Sequence, residues 1–210
     1  HESLPLSVAI ITLNEGKNLP RCLESVQELA REIVIVDSGS TDDTARIASE
    51  VGAIFQFQSW LGHVGQKQVA LQRCSQPWVL ALDADEVVSA ELAASIRHSL
   101  AAESCRESGF LINRRTHYLG EWIWHSWYPE WRLRLVRRSQ AQWSGHDPHD
   151  KLEAPGAIGR LKGDLLHFSY HTLQDHLQKT IQYAKISAGE LRQNGKAAHW
   201  YHLFFSPLLT

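Results

Sequence analysis

Apolar runs alternate with amphipathic segments through the first half of this chain. Short apolar runs rich in β-branched residues are typical of buried parallel strands, and apolar residues at every third or fourth position are typical of helices. The apolar runs predict strands at residues 6–13, 33–36, 53–57 and 79–82. Helical spacing predicts helices at residues 15–29, 41–51, 63–74 and 89–102. This β-α-β-α order predicts a mostly parallel central sheet flanked by helices, with right-handed crossovers.

The pattern changes after Ser108. Strands are predicted at residues 109–113, 131–136 and 164–168, with an aromatic loop at 118–131 and a polar loop at 144–150. A long amphipathic helix is predicted at residues 173–193. We therefore predict a single α/β domain in two parts: a nucleotide-type half at residues 1–107, and residues 108–210 with a smaller β region and a C-terminal helix.

Length, net charge, cysteine content and apolar runs limit the class of protein and its expected partners. The 210 residues fit one domain of roughly 100–200 residues, and the formal charge of −2 argues against a nucleic-acid-binding protein, which needs a basic surface. Three scattered cysteines without a Cys-x-x-Cys pair indicate a reducing, cytoplasmic location and no zinc knuckle. Apolar runs are too short for a spanning helix, while the apolar stretch 199–209 predicts peripheral contact with a membrane.

Polar side chains follow three of the predicted strands. They are Thr12, Asn14 and Glu15, then Asp37, then Asp83 and Asp85. Because carboxyl ends of parallel strands meet at one edge of a sheet, we expect these groups to converge there. The plainer alternative is that these acids only cap helices and end strands.

The segment Asp83-Ala84-Asp85 predicts a divalent cation site. Two aspartates separated by one residue can share a hard cation, which commonly bridges to phosphate oxygens. The chain has neither a Gly-x-Gly-x-x-Gly motif after its first strand nor a Gly-Lys-Ser/Thr loop. Without a glycine cradle, a bound diphosphate would need the metal.

Residues 8–15, 33–42 and 82–85, in that order, resemble the family-2 inverting glycosyltransferases of the GT-A fold. Residues 65–71, 131–137, 149–152 and 166–170 extend the resemblance to the lipopolysaccharide-core β-glucosyltransferases, as do Lys179 and Tyr183 in the last helix. The resemblance implies a nucleotide-sugar-binding half at 1–107 and an acceptor-binding half at 108–210. It also implies a UDP-sugar donor, a glycan or glycolipid acceptor, and Mg²⁺ or Mn²⁺ as cofactor.

The resemblance implies roles for single residues. Thr12 and Glu15, in a loop with Asn14, would hold the uridine ribose, and Asp37 would accept the uracil N3–H. Further expected contacts are Lys67 with the uracil or diphosphate, Asp83 with ribose or metal, Asp85 with the metal, and His167 as a third metal ligand. The alternatives are a solvated helix lysine for Lys67 and a satisfied core histidine for His167.

An inverting transfer needs a base that takes the proton of the acceptor hydroxyl. The subgroup usually has His-Glu at the matching position, where this chain has His149-Asp150. Asp150 is therefore the predicted catalytic base, with Asp147 and Glu130 as competitors.

Four arginines form the most basic segment of the chain. Arg132 and Arg134 alternate along one predicted strand and are expected to face the same side, and Arg137 and Arg138 follow them. Such a patch suits the donor diphosphate or a phosphorylated acceptor, and the alternative is a solvated edge strand. The aromatic loop at 118–131 is expected to stack sugar rings or to lie at a membrane surface.

The leading prediction is thus a metal-dependent inverting transferase that moves a hexose, glucose first, from a UDP-sugar to a glycan or glycolipid, with lipopolysaccharide core as the acceptor class. It is expected at the cytoplasmic face of the inner membrane. One alternative is a module that binds nucleotide-sugar without turning it over. A nucleotidyltransferase is disfavoured, because the loop after its first strand is normally basic and glycine-rich.

Overall fold

The computed structural model describes residues 3–102, 105–147, 149–170, 172–193 and 195. Its strands are β1 (Leu4–Thr12), β2 (Ala30–Asp37), β3 (Ile54–Phe57), β4 (Trp78–Asp83), β5 (Glu86–Val88), β6 (Gly109–Tyr118), β7 (Glu121–Trp122), β8 (Glu130–Arg137), β9 (Gln142–His146), β10 (His149–Glu153) and β11 (Ile158–Tyr170). Its helices are α1 (Leu19–Val26), α2 (Thr44–Glu50), α3 (Gly62–Arg73), α4 (Ala90–Ala101) and α5 (Leu173–Gln193).

A curled, mixed sheet runs through the centre of the fold. Its strand order is β3-β2-β1-β4-β8-β6-β11-β5, and β7 pairs with β6. Strands β1 to β4 are parallel, as predicted, whereas β8 runs antiparallel to both of its neighbours, β4 and β6. Because β8 belongs to the second half of the sequence, the two halves share one sheet.

The sheet has an apolar core on each face. Side chains of β1 point alternately to the two faces of the sheet. Leu6, Val8 and Ile10 therefore pack in the first core, and Ala9 packs in the second. The first core is covered by α1, α2 and α4, and the second by α3 together with the hairpin of β9 and β10. The carboxyl ends of β1, β2 and β4 are therefore held side by side between two packed layers.

Two helices of the first half begin later than predicted. Helix α1 starts at Leu19 with Pro20 in its first turn, and residues 16–18 form a turn before it. Helix α2 starts at Thr44, whose N–H donates to the Asp42 carboxylate at 3.0 Å. Both shifts leave polar loops at the strand ends, where the predicted site lies.

The segment predicted as a polar loop at 144–150 is instead part of a hairpin, so that prediction is wrong. Strands β9 and β10 pair antiparallel, with Asp150 opposite Gly145. Trp143 and Leu152 hold the hairpin on the sheet through the second core. Gly145 has a φ of 94°, and a Cβ there would lie 2.4 Å from the carbonyl oxygen of His149, so the close approach requires glycine.

Strand β11 extends well beyond the predicted 164–168 and pairs parallel with β6 and antiparallel with β5. In the described part of the chain, no helix has both the length and the apolarity that crossing a bilayer requires. The apolar stretch 199–209 and the side chains of Lys179 and Tyr183 lie outside the described residues.

Candidate functional site

The Asp37 carboxylate lies in a cradle at the end of β2. Its Oδ1 accepts hydrogen bonds from the hydroxyls of Thr12 at 2.7 Å and Ser40 at 2.5 Å. Its Oδ2 accepts from the N–H groups of Gly39 and Ser40 at 2.8 and 2.7 Å. Burial alone raises the pKa of Asp37, but these four bonds outweigh it and hold the pKa below its usual range. Asp37 is therefore ionised, and its acceptor positions are occupied within the protein.

Asn14 joins the loop after β1 to the loop after β2. Its Oδ1 accepts from the N–H of Thr41 at 2.8 Å, and its own N–H donates to the Ser40 hydroxyl at 2.7 Å. In the same loop the N–H of Glu15 donates to the Thr44 hydroxyl at 2.9 Å, and the Glu15 carboxylate accepts from the Asn18 amide at 2.9 Å. These bonds give the edge of the sheet a fixed shape beside Asp37.

Two cations hold the first aspartate of the Asp83-Ala84-Asp85 segment. Lys67 Nζ lies 2.9 Å from Asp83 Oδ1, and Arg134 Nη2 lies 2.7 Å from Asp83 Oδ2. Burial raises the pKa of Asp83, but Lys67 and Arg134 together hold it well below its usual range. Lys67 is only 8% exposed, so the alternative of a solvated helix lysine is wrong.

Sequence analysis did not single out Glu86, which lies three residues after Asp83 and is fully buried. Its Oε1 accepts from Arg134 Nη2 at 2.7 Å and lies 3.7 Å from Arg114 Nη1. Its Oε2 accepts from the N–H of Asp83 at 2.9 Å. A buried carboxylate of this kind needs its cations, because an unpaired charge in the interior is strongly destabilising.

The ion pairs form one continuous series of alternating charge, which we call the ion-pair chain. Its members, in order, are Asp150, Lys67, Asp83, Arg134, Glu86, Arg114, Glu130 and Arg132. It connects the β9–β10 hairpin, α3 and strands β4, β5, β6 and β8. Four acidic and four basic groups balance along it, so the ion-pair chain itself carries little net charge.

Asp85 lies in the turn between β4 and β5, and its carboxylate is beside His167 of β11. His167 Nε2 is 3.5 Å from Asp85 Oδ2, and the Ser169 hydroxyl is 2.8 Å from His167 Nδ1. The Asp85 carbonyl also accepts from the N–H of Phe168 at 2.9 Å, which fixes the turn against β11. A carboxylate and an imidazole at this separation are a chemically suitable pair for Mg²⁺ or Mn²⁺. No group of three or more His, Cys, Asp and Glu ligands occurs in the described residues, so phosphate oxygens or water would complete such a site.

Asp150 is 16% exposed at its side chain, and its Oδ2 accepts from Lys67 Nζ at 2.9 Å. Its first competitor, Asp147, instead caps α3, because its carboxylate accepts from the N–H groups of His63 and Val64 at 2.8 and 3.2 Å.

The second competitor, Glu130, is held by arginines. Arg114 forms two bonds with its carboxylate at 2.8 and 2.9 Å, and Arg132 donates at 2.5 Å. Burial raises the pKa of Glu130, but the two arginines reverse this and hold the pKa below its usual range. A carboxylate so occupied is a poor proton acceptor, which leaves Asp150 as the base candidate among the three.

The predicted arginine patch does not exist as one surface. Leu135 faces Phe110 and Leu133 faces Leu111, so a β-bulge at Arg134 interrupts the expected alternation. Arg134 is buried in the ion-pair chain, whereas Arg132 is exposed.

Arg137 also makes its contacts away from the ion-pair chain. Its guanidinium donates to the carbonyls of Cys105 and Glu107 and stacks over the Trp78 ring at 4.6 Å. The prediction of a shared basic face is therefore wrong, although Arg134 does reach the predicted site.

Residues 7–151 match the model of the family "Glycosyl transferase family 2". The chain is 37% identical to the lipopolysaccharide core biosynthesis glycosyltransferase LpsC of Rhizobium meliloti, over 97% of this chain and 78% of that protein.

Solved structures share the fold at low sequence identity. The S. aureus TarS 1–349 structure superposes with a TM-score of 0.60 at 18% identity, over 78% of this chain and 60% of that one. Glucosyl-3-phosphoglycerate synthase from Mycobacterium tuberculosis, in complex with Mn²⁺, UDP and glucosyl-3-phosphoglycerate, superposes with a TM-score of 0.53 at 18% identity, over 93% of this chain and 81% of that one. The predicted α/β GT-A fold is confirmed, and the chain belongs to glycosyltransferase family 2.

Proposed function

We propose that this glycosyltransferase moves a hexose, glucose in the first instance, from a UDP-sugar to a glycan or glycolipid acceptor, with inversion at the anomeric carbon. The observation that carries the proposal is that Asp150 joins Asp83 through one shared lysine, Lys67, at the edge of the sheet that also holds Asp37. The candidate base and one candidate donor-binding acid, Asp83, are thus within one ion-pair chain.

Two observations support a UDP-sugar as the donor: the polar loops at the edge of the sheet, and the UDP bound in structures of similar fold. Structures of TarS and of glucosyl-3-phosphoglycerate synthase contain UDP, and the latter also contains Mn²⁺. In this chain the uridine would lie over the loops that Asn14 joins, with Thr12 and Glu15 toward the ribose.

For Asp37 to accept the uracil N3–H, one of its four present bonds must be exchanged. The Ser40 hydroxyl is the best candidate, because Ser40 is half-buried and its hydroxyl can rotate, whereas Thr12 is buried.

Asp85 and His167 would hold Mg²⁺ or Mn²⁺ together with the diphosphate oxygens. When bound, the metal supplies Lewis-acid stabilisation of the negative charge on the departing diphosphate. Both oxygens of Asp83 are held by cations, so we assign Asp83 chiefly to orienting Lys67 and Arg134 toward the diphosphate.

Asp150 would act as the general base. The acceptor oxygen forms a bond to the anomeric carbon while the bond from that carbon to the diphosphate oxygen breaks. The hydroxyl proton passes to the Asp150 carboxylate, and the electron pair of the broken bond leaves with UDP. The bond from Lys67 keeps this carboxylate oriented until the acceptor arrives.

The acceptor class follows from the relative LpsC, whose name places it in lipopolysaccharide core biosynthesis. A lipid-linked acceptor is consistent with peripheral contact at the cytoplasmic face of the inner membrane. Leu173, Leu177 and Ile181 are exposed at helical spacing on α5, and Trp124 and Trp127 are also exposed. Flotation with anionic liposomes tests this contact, and protein that stays at the bottom of the gradient contradicts it.

The central experiment is UDP release from UDP-glucose, UDP-galactose and UDP-N-acetylglucosamine, with Mn²⁺ or EDTA, and with or without a lipopolysaccharide-core preparation. We expect UDP release from one donor to require Mn²⁺ and to rise when the core preparation is added. Binding of UDP without any release would favour a non-catalytic module, and no binding of UDP would contradict the donor assignment.

A further inference from the structure

A second cleft, which we call the Trp131 cleft, opens beside the outer end of the ion-pair chain. Its volume is about 380 Å³, within the range of about 300–1,000 Å³ typical of small-molecule sites. The residues that line it include Glu91, Asn113, Tyr128, Trp131, Lys162 and Asp164. It shares no lining residue with the donor-side groups described above.

The floor of the cleft is a row of three side chains across adjacent strands. Trp131 of β8 lies opposite Asn113 of β6, which in turn lies opposite Asp164 of β11. Asn113 Nδ2 donates to Asp164 Oδ1 at 2.8 Å, and Asn113 Oδ1 accepts from the N–H of Glu130 at 2.9 Å. The polar groups of the floor are therefore fixed before any ligand arrives.

The Asp164 carboxylate retains capacity for a ligand. Besides the bond from Asn113, its Oδ2 lies 3.2 Å from Arg115 Nε, and Tyr128 Oη is 3.5 Å from its Oδ1. A carboxylate accepts about four hydrogen bonds, so acceptor positions remain for hydroxyl groups that enter the cleft.

An aromatic surface stands beside these polar groups. Trp131 is 36% exposed, and the Arg160 guanidinium lies 4.9 Å from its ring centre. Tyr128 adds a second ring and packs against Trp124 with 5.6 Å between ring centres. A pyranose has an apolar C–H face and a rim of hydroxyls, so a ring surface next to a carboxylate and an amide matches both of its parts.

Trp131, in the floor of the cleft, faces the same side of the sheet as the proposed base, whereas Glu91 and Leu161 line the cleft from the side of α4. Leu133 packs in the second core with Trp143 and Leu152 of the hairpin that carries Asp150. Trp131 precedes Leu133 by two residues without a register shift between them, so both side chains point to that face.

We propose that the Trp131 cleft binds a sugar ring of the acceptor glycan, outside the donor site. This inference rests on the proposed function, because it assigns the cleft to the acceptor of the same reaction. Trp131 supplies the stacking surface, and Asp164 with Lys162 supplies hydrogen bonds to the ring hydroxyls.

Saturation-transfer NMR tests the proposal. The probes are UDP, the methyl glycosides of glucose, galactose and mannose, and the disaccharides lactose and maltose. Wild-type protein is expected to transfer saturation to at least one sugar probe, Trp131→Ala to lose that transfer, and Trp131→Phe to keep part of it. The matched control is Trp60→Ala, which removes another partly exposed tryptophan outside the cleft and should leave the transfer unchanged.

Transfer to the sugar probes that is equal in wild type and Trp131→Ala would overturn the proposal, as would its absence in wild type. If Trp131→Ala fails to fold in a thermal melt, Tyr128→Ala decides the question in the same way. Because UDP is in the same sample, failure of the cleft proposal can be distinguished from failure of the donor assignment. Wild-type protein that binds UDP but no sugar refutes only the cleft, whereas protein that does not bind UDP refutes the donor assignment.

Discussion

Lys67 Nζ lies 2.9 Å from Asp150 Oδ2, and this contact links the proposed base to the proposed donor site. The same ammonium group lies 2.9 Å from Asp83 Oδ1. A ligand that draws Lys67 toward a diphosphate would therefore weaken its hold on Asp150. In the proposed reaction, donor binding and the release of the proposed base would be coupled through this one side chain.

Asp150→Asn should abolish transfer while UDP binding is retained. An amide cannot take the acceptor proton, and loss of a general base typically costs about 10²–10⁴-fold in kcat. Steady-state transfer and UDP calorimetry measure the two effects. Asp147→Asn is the control, since Asp147 caps α3 and should leave kcat near the wild-type value. Rapid transfer by Asp150→Asn would remove Asp150 from the role of base.

Arg134→Met should destabilise the protein far more than Arg132→Met. Arg134 is buried between Asp83 and Glu86, and removal of one partner of a buried ion pair costs about 3–5 kcal/mol. Arg132 is exposed beside Glu130, where such pairs contribute about 1 kcal/mol or less. Urea unfolding of the two variants makes the comparison, and equal free energies of unfolding would contradict the central position of Arg134.

Asp85→Ala and His167→Ala should weaken binding of Mn²⁺ in the presence of UDP. Both side chains would contribute a ligand, and they lie 3.5 Å apart. Electron paramagnetic resonance of free Mn²⁺ gives the affinity without any measurement of activity. His63→Ala is the matched control, since His63 lies at the start of α3 beside Trp60. Unchanged Mn²⁺ affinity in both site variants would rule out this pair as the metal site.

The Asp37 cradle should make stability depend on pH in a defined direction. The pKa of Asp37 is lowered in the folded state, so its ionised form stabilises the fold above the unfolded pKa of about 3.9. That contribution is lost as the pH falls through the folded pKa. The difference in free energy of unfolding between wild type and Asp37→Asn should therefore be largest near neutral pH and shrink in acid.

A pH series of urea unfolding curves measures this difference. Ser40→Ala removes one hydroxyl bond to Asp37 and should show a smaller effect of the same sign. A difference that grows as the pH falls would contradict the ionised state of Asp37.

The sequence was sufficient for most elements of the first half, although it did not predict β5. Apolar runs and helical spacing are local signals, and they predicted β1 to β4 and the intervening helices, with errors mainly at the helix starts. The strand-end acids converge as expected, because that follows from parallel topology alone. Asp83 and Glu86 share Arg134, whereas Asp85 lies beside His167, and this division depends on tertiary pairing.

The second half was harder to predict for physical reasons. The β9–β10 hairpin has few apolar residues, so its strand pattern is weak in the sequence. The bulge at Arg134 and the partnership of Glu86 with Arg114 depend on which strands become neighbours. No local pattern carries that information.

The cap that Asp147 places on α3 has a mechanical consequence. Its carboxylate bonds to the N–H groups of His63 and Val64, while its own chain position is at the turn of the β9–β10 hairpin. A Cβ on Gly62 would lie 2.3 Å from Asp147 Oδ2, so the two segments are in direct contact. These contacts fasten the hairpin to the first turn of α3. We therefore expect the two segments to move together, which would keep Asp150 beside Lys67.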